Sequence, residues 1–435
     1  MKKILIITYQ FPPDNIIAAY RPLAYARNFP KHGLETTVVT HLWEKTPDQS
    51  AWQYHDSGTS PFLEEVEHYK VYRVPREQTW HQKLYLSLIK VPGLSKVMTF
   101  LLNVFGFFDL DLIASYLCFK RFLRSHLKDH SYDCVLTLYS PFYNLRLAHW
   151  VEQQYRIPFV TDWRDLHDLR LGNESFVPSI KDRIYLSIQE RYIKKYLKHA
   201  LFVTAAGVFW AEYLGNLTNK KGFEITNGYD ETLFDDVSPY VSEKFLISHI
   251  GTLYPDQNIE IFFKGLALFL EEKATDDVLV SFVGLKGNML EQIEKMASKY
   301  VKHGIVRCEG RVERHKALEL KKSSHVLLYP CWLGTKGIYS GKIFEYIGSQ
   351  RPILLAPGDK DFLEKTIIEG NLGSAAYEPE GVRDYLDLKF QEWKQYGDVL
   401  YDGDKNMVNS YSREVQAEKL ANYIKRELIK GNDLV

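Results

Sequence analysis

The feature that most constrains the fold is a rhythm that runs through the chain twice. Short β-rich runs alternate with segments of helical periodicity. In the first half the β-rich runs are Ile4–Thr8, Thr36–Thr40, Cys134–Leu138, Pro158–Thr161 and Leu201–Ala205, and helical patterns cover Ile16–Lys31, Phe142–Tyr155 and Ser179–His199. Strands separated by helices of this length make βαβ crossovers, and so a parallel sheet covered on both faces. The rhythm restarts with Leu246–Ile250, Val278–Val283, Ile305–Cys308, Val326–Tyr329 and Pro352–Leu355, between which Asn258–Glu272, Asn288–Val301, His315–Lys322 and Lys342–Ser349 read as helices. Ile225-Thr-Asn-Gly-Tyr-Asp230 lies between the halves, and Asn-Gly is a strong turn signal.

The expected fold is therefore α/β, with two Rossmann-like doubly wound parallel-sheet domains facing across a cleft. The expected domains are 1–225, a linker at 226–243, a second domain at 244–410, and a C-terminal helical segment at 411–435. That last helix carries Val415, Leu420, Ala421, Ile424 and Leu428 at helical spacing and needs a surface to cover, with the N-terminal domain as the candidate. In open α/β sheets ligands sit beyond the carboxyl ends of the strands, so candidate site residues are those that follow strands.

Composition excludes several classes of function. Lys+Arg and Asp+Glu are 55 each, so no global basic field points to nucleic acid. Cys118, Cys134, Cys308 and Cys331 have neither CxxC nor zinc-ligand spacing and read as reduced core residues of a cytoplasmic protein. Ile4–Thr8 follows two lysines, but it is too short for a signal-peptide core and runs into Pro-Pro-Asp. Val97–Phe108 is almost wholly apolar, yet Asp109 and Asp111 follow it, and each carboxylate at a bilayer centre costs about 2.5–3.5 kcal/mol, which excludes a span. Leu112, Tyr116, Phe119, Leu123 and Leu127 form a helical stripe, with Lys120, Arg121, Arg124 and Lys128 on another side and Lys83, Lys90 and Lys96 upstream. Region 83–128 reads either as a surface for peripheral contact with anionic lipid or as buried helices with a solvated basic face. The DxD spacing of Asp109 and Asp111 follows an apolar run rather than a nucleotide-binding strand, so no metal is expected.

The most informative segment is Ser340-Gly-Lys-Ile-Phe-Glu345, which continues to Arg351-Pro-Ile-Leu-Leu355. Ser340 is placed as an N-cap, Gly341 lets a ligand approach the backbone, and the open amides of a helix start beside Lys342 suit a diphosphate. Glu345, one turn on, could accept from a ribose diol; the plainer reading is a capped helix with a surface glutamate. In the first half, Pro13 and Asp14 form a turn after the first strand. Arg21 could meet a phosphate or an acidic acceptor, or simply be solvated at the surface, and Ser140 follows the strand at 134–138; Pro13, Asp14, Arg21 and Ser140 are the expected acceptor-side residues. Asp162, Arg164 and Asp165 follow another strand and read either as catalytic groups orienting donor and acceptor hydroxyls or as an internal salt-bridge network. His149, His167 and His249 read as structural.

The 340–355 segment resembles the donor-binding region of family-four glycosyltransferases, which are retaining enzymes of the two-domain GT-B fold. Glu345 matches the second Glu of their Glu-x7-Glu motif, which binds the ribose; the first is Gly337 here. The resemblance extends along the chain. The opening KILIITYQFPPD, Asp162-Trp-Arg-Asp165, Asn227-Gly-Tyr-Asp230 with Phe234, Gly251-Thr-Leu and Gly310-Arg-Val312 stand in the family's order. It implies transfer of a sugar, with retention, from a nucleotide-diphosphate-sugar donor to a hydroxyl acceptor, lipid-linked or saccharide, in cell-surface polysaccharide or glycolipid assembly. No cofactor and no metal are implied. It implies donor binding by Gly251, Thr252, Lys286, Arg311, Val312, Ser340, Gly341, Lys342 and Glu345. The family's Arg and Lys that grip the diphosphate are Thr252 and Gln257 here, so Lys342, with Lys286 or Lys336, is expected to supply that charge. A nucleotide-sugar epimerase on the same fold and a binding subunit with lost chemistry are the alternatives.

Overall fold

The computed structural model describes residues 1–432 other than 15, 46–51, 55–59, 78–79, 89, 91–93, 107 and 109–111, so Asp109 and Asp111 lie outside the described residues. The chain divides into two compact units: Met1–Leu171, Phe176–Thr226 and Gln416–Val435 form the first, and Gly172–Ser175 with Asn227–Val415 form the second.

In the first unit, an eight-stranded sheet of described residues runs in the spatial order 222–224, 200–205, 159–163, 134–139, 2–7, 34–41, 69–74 and 62–66. All neighbours are parallel except the last pair, an antiparallel hairpin that ends the sheet. Lys2–Ile7 sits mid-sheet, and Ile4 to Ile7 are fully enclosed, which is why that run is continuously apolar rather than alternating. At the edge hairpin, Phe62 to Glu65 are exposed, and Glu64 and Glu65 place charge where unpaired backbone would otherwise invite a further strand.

The last helix, Arg413–Asn432, packs on this unit. Ala417, Leu420, Ala421, Ile424 and Leu428 share one core with Ile4, Ile6, Val38, Leu136 and Phe202. Lys425 donates to the His32 carbonyl at 3.2 Å and Lys221 pairs with Glu427 at 2.9 Å, fixing the helix register.

The second unit has a six-stranded parallel sheet in the order 306–309, 278–283, 245–250, 326–329, 353–355 and 373–375. One face is covered by a core including Phe262, Phe263, Phe269, Met289 and Leu386, and the other by one including Ile343, Phe344, Ile347 and Ile367. Tyr229, Phe234 and Val237 belong to that second core. The stretch expected as a linker is therefore, from Asn227 on, an integral layer of this unit, because its aromatic residues bury. Residues 172–175, expected in the first domain, also belong here: Lys336 N–H donates to the Gly172 carbonyl at 2.7 Å and Glu174 N–H to that of Gly334 at 3.0 Å.

Of the two readings of 112–128, the structure fits the buried one. Helix Ile113–Asp129 turns Tyr116, Phe119, Leu123 and Leu127 into the first unit's interior. On its basic face Lys120 lies 5.2 Å from the Trp150 ring and Arg121 pairs with Glu77 at 2.7 Å, while Arg124 and Lys128 are exposed. A stripe at helical spacing looks the same whether it meets a core or a lipid. No helix of the described residues is long and apolar enough to cross a membrane.

Truncating Leu420 or Ile424 to alanine is expected to destabilise the first unit by about 2–5 kcal/mol, the usual cost of a buried aliphatic cavity. Hydrogen exchange of the Lys2–Ile7 amides would register it; unchanged protection would show that the helix is not part of that cooperative core.

Candidate active site

The carboxyl edge of the second sheet gathers the main group of site residues. Strand Phe245–Ile250 ends in Gly251, whose φ of +127° is open to glycine and strained for other residues. A methyl group there would also sit 3.3 Å from Cε of Lys342. Lys342 lies on helix Gly341–Gly348, and its side chain runs back across Gly251 to donate to the Thr252 carbonyl. Its ammonium lies 5.6 Å from the Tyr329 ring centre. Tyr346, one turn on, ties the same helix to the same strand end: its hydroxyl accepts from the Ile250 amide at 2.7 Å and donates to the Ile250 carbonyl at 3.3 Å.

Burial, with Lys321 nearby, lowers the Lys342 ammonium to a pKa of about 7. Among the described residues no carboxylate pairs with it. At the helix start, Ser340 has extended backbone geometry but caps nothing; its Oγ is 3.0 Å from the Tyr329 hydroxyl. The first-turn amides of Gly341 and Lys342 are thus left open by their own cap, at the positive end of the helix dipole.

Glu345 is not a surface glutamate. Oε1 accepts from Arg314 at 3.0 Å and Oε2 from Lys321 at 2.8 Å. Burial pushes its pKa up, but Lys321 and then Arg314 outweigh that and bring it to about 2. Sequence reasoning missed both partners; they come from helix Arg314–Ser323, and nothing local to Glu345 signals them. Each carboxylate oxygen keeps lone-pair capacity beyond one donor, so accepting from a diol stays open to Glu345 chemically.

Lys286 and Arg311 are exposed and Val312 is half-buried, all following the neighbouring strand ends 278–283 and 306–309 on this edge. Lys336 is engaged elsewhere, with Glu174 at 2.9 Å. Gln257 is buried and committed to backbone: its amide donates to the Pro330 carbonyl and its oxygen accepts from the Tyr254 amide at 3.0 Å. Gly337 has a φ of +80°, a backbone state that suits glycine and disfavours glutamate. His249 is enclosed, with Nδ1 3.1 Å from the Leu328 carbonyl, and burial followed by the Lys342 charge holds it neutral.

In the first unit, the expected catalytic and acceptor-side residues separate into two kinds. Asp162 is fully enclosed and does not end at a surface. Arg21 donates to both of its oxygens at 2.7 Å, Thr204 Oγ1 adds a bond at 2.6 Å and the Tyr25 hydroxyl one at 3.0 Å. The same guanidinium donates to the carbonyls of Ile225 at 2.7 Å and Thr226 at 2.8 Å. Asp162 and Arg21 are thus an internal network, and the catalytic role for Asp162 and the acceptor role for Arg21 are withdrawn. Arg164 and Asp165 pair at 2.6 Å, partly exposed beyond the same strand. Ser140 is exposed beyond strand Cys134–Tyr139. Pro13 sits in the turn after the first strand, and Asp14 is buried there, its carboxylate raised by desolvation and accepting from the Ile16 amide at 3.3 Å.

No protein-family model matches the chain, and no curated protein matches its sequence. Solved structures do resemble it. Sucrose-phosphate synthase from Thermosynechococcus elongatus superposes with a TM-score of 0.61 at 15% identity, over 99% of this chain and 100% of that one. Anabaena HepE in complex with UDP and glucose gives 0.57 at 13% identity, over 98% and 100%. An α,α-trehalose 6-phosphate synthase from Burkholderia multivorans gives 0.61 at 10% identity, over 100% and 98%. At these identities the likeness is one of fold: the chain has the two-sheet α/β architecture of these GT-B proteins along its whole length.

Replacing Asp162 with asparagine leaves Arg21 buried without its counter-ion and is expected to cost about 3–5 kcal/mol; Asp165→Asn, at a part-exposed pair, should cost under about 1 kcal/mol. Chemical denaturation of the two variants separates an internal role from a surface one. Glu345 supplies a second check. A carboxylate with a depressed pKa gives stability that is complete above its ordinary value of 4.5 and lost as pH falls toward about 2. The difference in Tm between the wild type and Glu345→Gln should therefore be largest near neutrality and shrink across that window.

Proposed function

We propose that this chain is a glycosyltransferase that moves a sugar, with retention, from a nucleotide-diphosphate-sugar donor to a hydroxyl acceptor. The observation that carries the proposal is the cation at the start of helix Gly341–Gly348. Lys342 lies across Gly251, without a carboxylate partner among the described residues, beside two amides that the cap leaves open. That arrangement fits the diphosphate of a donor. The support from likeness is the fold shared with HepE, solved with UDP and glucose, and with an E. coli trehalose-6-phosphate structure bound with UDP-2-fluoro glucose.

Breaking the anomeric C–O bond builds positive charge on the sugar and negative charge on the departing diphosphate. Fixed amides and one ammonium opposite that oxygen stabilise the leaving group without reorganising during the reaction. The acceptor hydroxyl then attacks C1 from the face the diphosphate leaves, and its proton passes to the departing phosphate oxygen. Glu345, oriented by Lys321 and Arg314, accepts from the ribose hydroxyls. Lys286, Arg311 and Val312 complete the donor side, while Arg164, Asp165 and Ser140 serve the acceptor. The acceptor is a lipid-linked or saccharide hydroxyl of cell-surface polysaccharide or glycolipid assembly, met at the cytoplasmic face of a membrane.

A thermal-shift panel of UDP-, GDP- and dTDP-sugars should identify a ligand, whose affinity is then measured by calorimetry against pH. A bound diphosphate opposes the burial that depresses Lys342, so binding takes up a proton. Affinity is flat below about 7, the pKa of the free enzyme, and falls as pH rises above it, by up to about tenfold per unit. Lys342→Met should lower affinity about 10- to 100-fold at pH 6.5 and abolish that slope. A variant that binds as the wild type does, or keeps the slope, overturns the assignment of Lys342.

A further inference from the structure

We propose that the exposed apolar faces of helices Leu94–Val104 and Ile180–Leu197, with the lysines beside them, form a docking surface for an anionic lipid bilayer. The first face carries Val97, Phe100, Leu101 and Val104, spaced to lie on one side of the helix, and Phe105 just beyond it is 67% exposed. Val177 just before the second helix is followed by Ile180 and Ile184 in its first two turns, and Ile180 is 80% exposed. The two helices belong to one packed layer of the first unit. The Tyr192 hydroxyl donates to the Val104 carbonyl at 3.1 Å, and the Phe108 ring lies 5.9 Å from Tyr192 and 6.5 Å from Tyr185. Exposed apolar side chains scattered singly need no partner, but a row of them along two packed helices marks an interaction surface.

Charge selects the occupant. From Gln78 to Phe108 the sequence has no Asp or Glu, and Lys83, Lys90 and Lys96 are exposed. On the second helix Lys181, Arg183, Lys194 and Lys195 are exposed, as is Lys198 at its C-cap, while its two carboxylates are engaged: Asp182 by Arg170 at 3.0 Å and by its cap Ser179, and Glu190 by the Tyr213 hydroxyl at 2.8 Å. A predominantly basic rim around an apolar face disfavours a second copy of itself across a symmetric contact, where like charges would meet. It matches an anionic headgroup layer, with aromatic and aliphatic side chains entering the acyl boundary. This places the contact on Lys83, Lys90, helix Leu94–Val104 with Phe105, and residues 177–198, not on the buried stripe of 112–128.

The test is flotation of the full chain with phosphatidylcholine vesicles, with and without about one-third phosphatidylglycerol, at low and high salt. Binding should require the anionic lipid and weaken at least about tenfold at high salt. Phe100→Ser with Phe105→Ser should lower partitioning at least about tenfold. Each of Lys83→Gln, Lys90→Gln and Lys96→Gln should lower it about fivefold. All five positions are exposed, so Tm should hold, and Ile180→Ser should weaken binding independently. Absence of flotation with anionic vesicles overturns the proposal. So does wild-type partitioning by the phenylalanine pair, or sedimentation showing that the wild type self-associates through this face. None of these readouts uses donor binding, so the result stands apart from the transferase reading.

Discussion

The tie between Lys342 and the Thr252 carbonyl across Gly251 is the interaction on which the second unit's edge depends. It needs three conditions at once: a glycine at a φ of +127°, no Cβ beneath the lysine stem, and a helix start close enough to return the side chain to the strand end. Tyr346 supplies the third by clamping the helix to Ile250 from the next turn. The electrostatics follow from how one carboxylate is shared. Glu345 is taken up by Lys321 and Arg314, so Lys342 is left with a backbone dipole as its partner. A half-buried ammonium with a dipole, and no carboxylate partner among the described residues, sits in a poor environment for its charge, and its lowered pKa expresses that. An anion at the same place relieves it.

The first unit shows the opposite solution to a similar problem. Arg21 and Asp162 are both buried, but each fills the other's capacity, and Thr204 and Tyr25 complete the carboxylate. The spare guanidinium donors go to Ile225 and Thr226, the last residues of the unit before the chain leaves it. A completed network offers an incoming ligand little; its consequence is positional, because it fixes where the chain departs. Buried charge is thus insufficient to mark a site. Completeness of partnering decides between a brace and a binding group.

That distinction explains what was legible in the residues. The sheets were legible because strands buried on both faces must be continuous apolar runs, and the intervening helices have the length a crossover needs. Where one face is solvated or an element is short, as at Phe62–Val66, Gly222–Glu224 and Gly373–Ala375, the signal is too brief to stand out. Helix Pro379–Tyr396 escaped as well, lying past the last strand that was read. Ser340 to Glu345 were legible as a group because they are contiguous. The partners of Glu345 were not, because they come from another helix, and the Arg21–Asp162 pair spans 141 positions. Phe234 buries and Ile180 does not, yet hydrophobicity alone gives both the same reading; only the surrounding fold separates them.

The departures from the family pattern then acquire a physical reading as one coordinated change. The resemblance places a cation pair in the loop after the first strand of the second unit, where this chain has Thr252 and Gln257. Gln257 is locked between Tyr254 and Pro330, so that loop is held by amide bonds. The positive charge instead arrives from the helix, on a residue whose neighbours Ile343 and Phe344 are enclosed in the core. A lysine on a loop must be ordered by the ligand it binds. A lysine already drawn across Gly251 has met that entropic cost during folding. Shifting the cation from loop to helix therefore gives up adaptability for a group whose position is fixed before an anion arrives and whose charge the anion then completes, and fixed position is the condition under which electrostatic stabilisation of a leaving group works best.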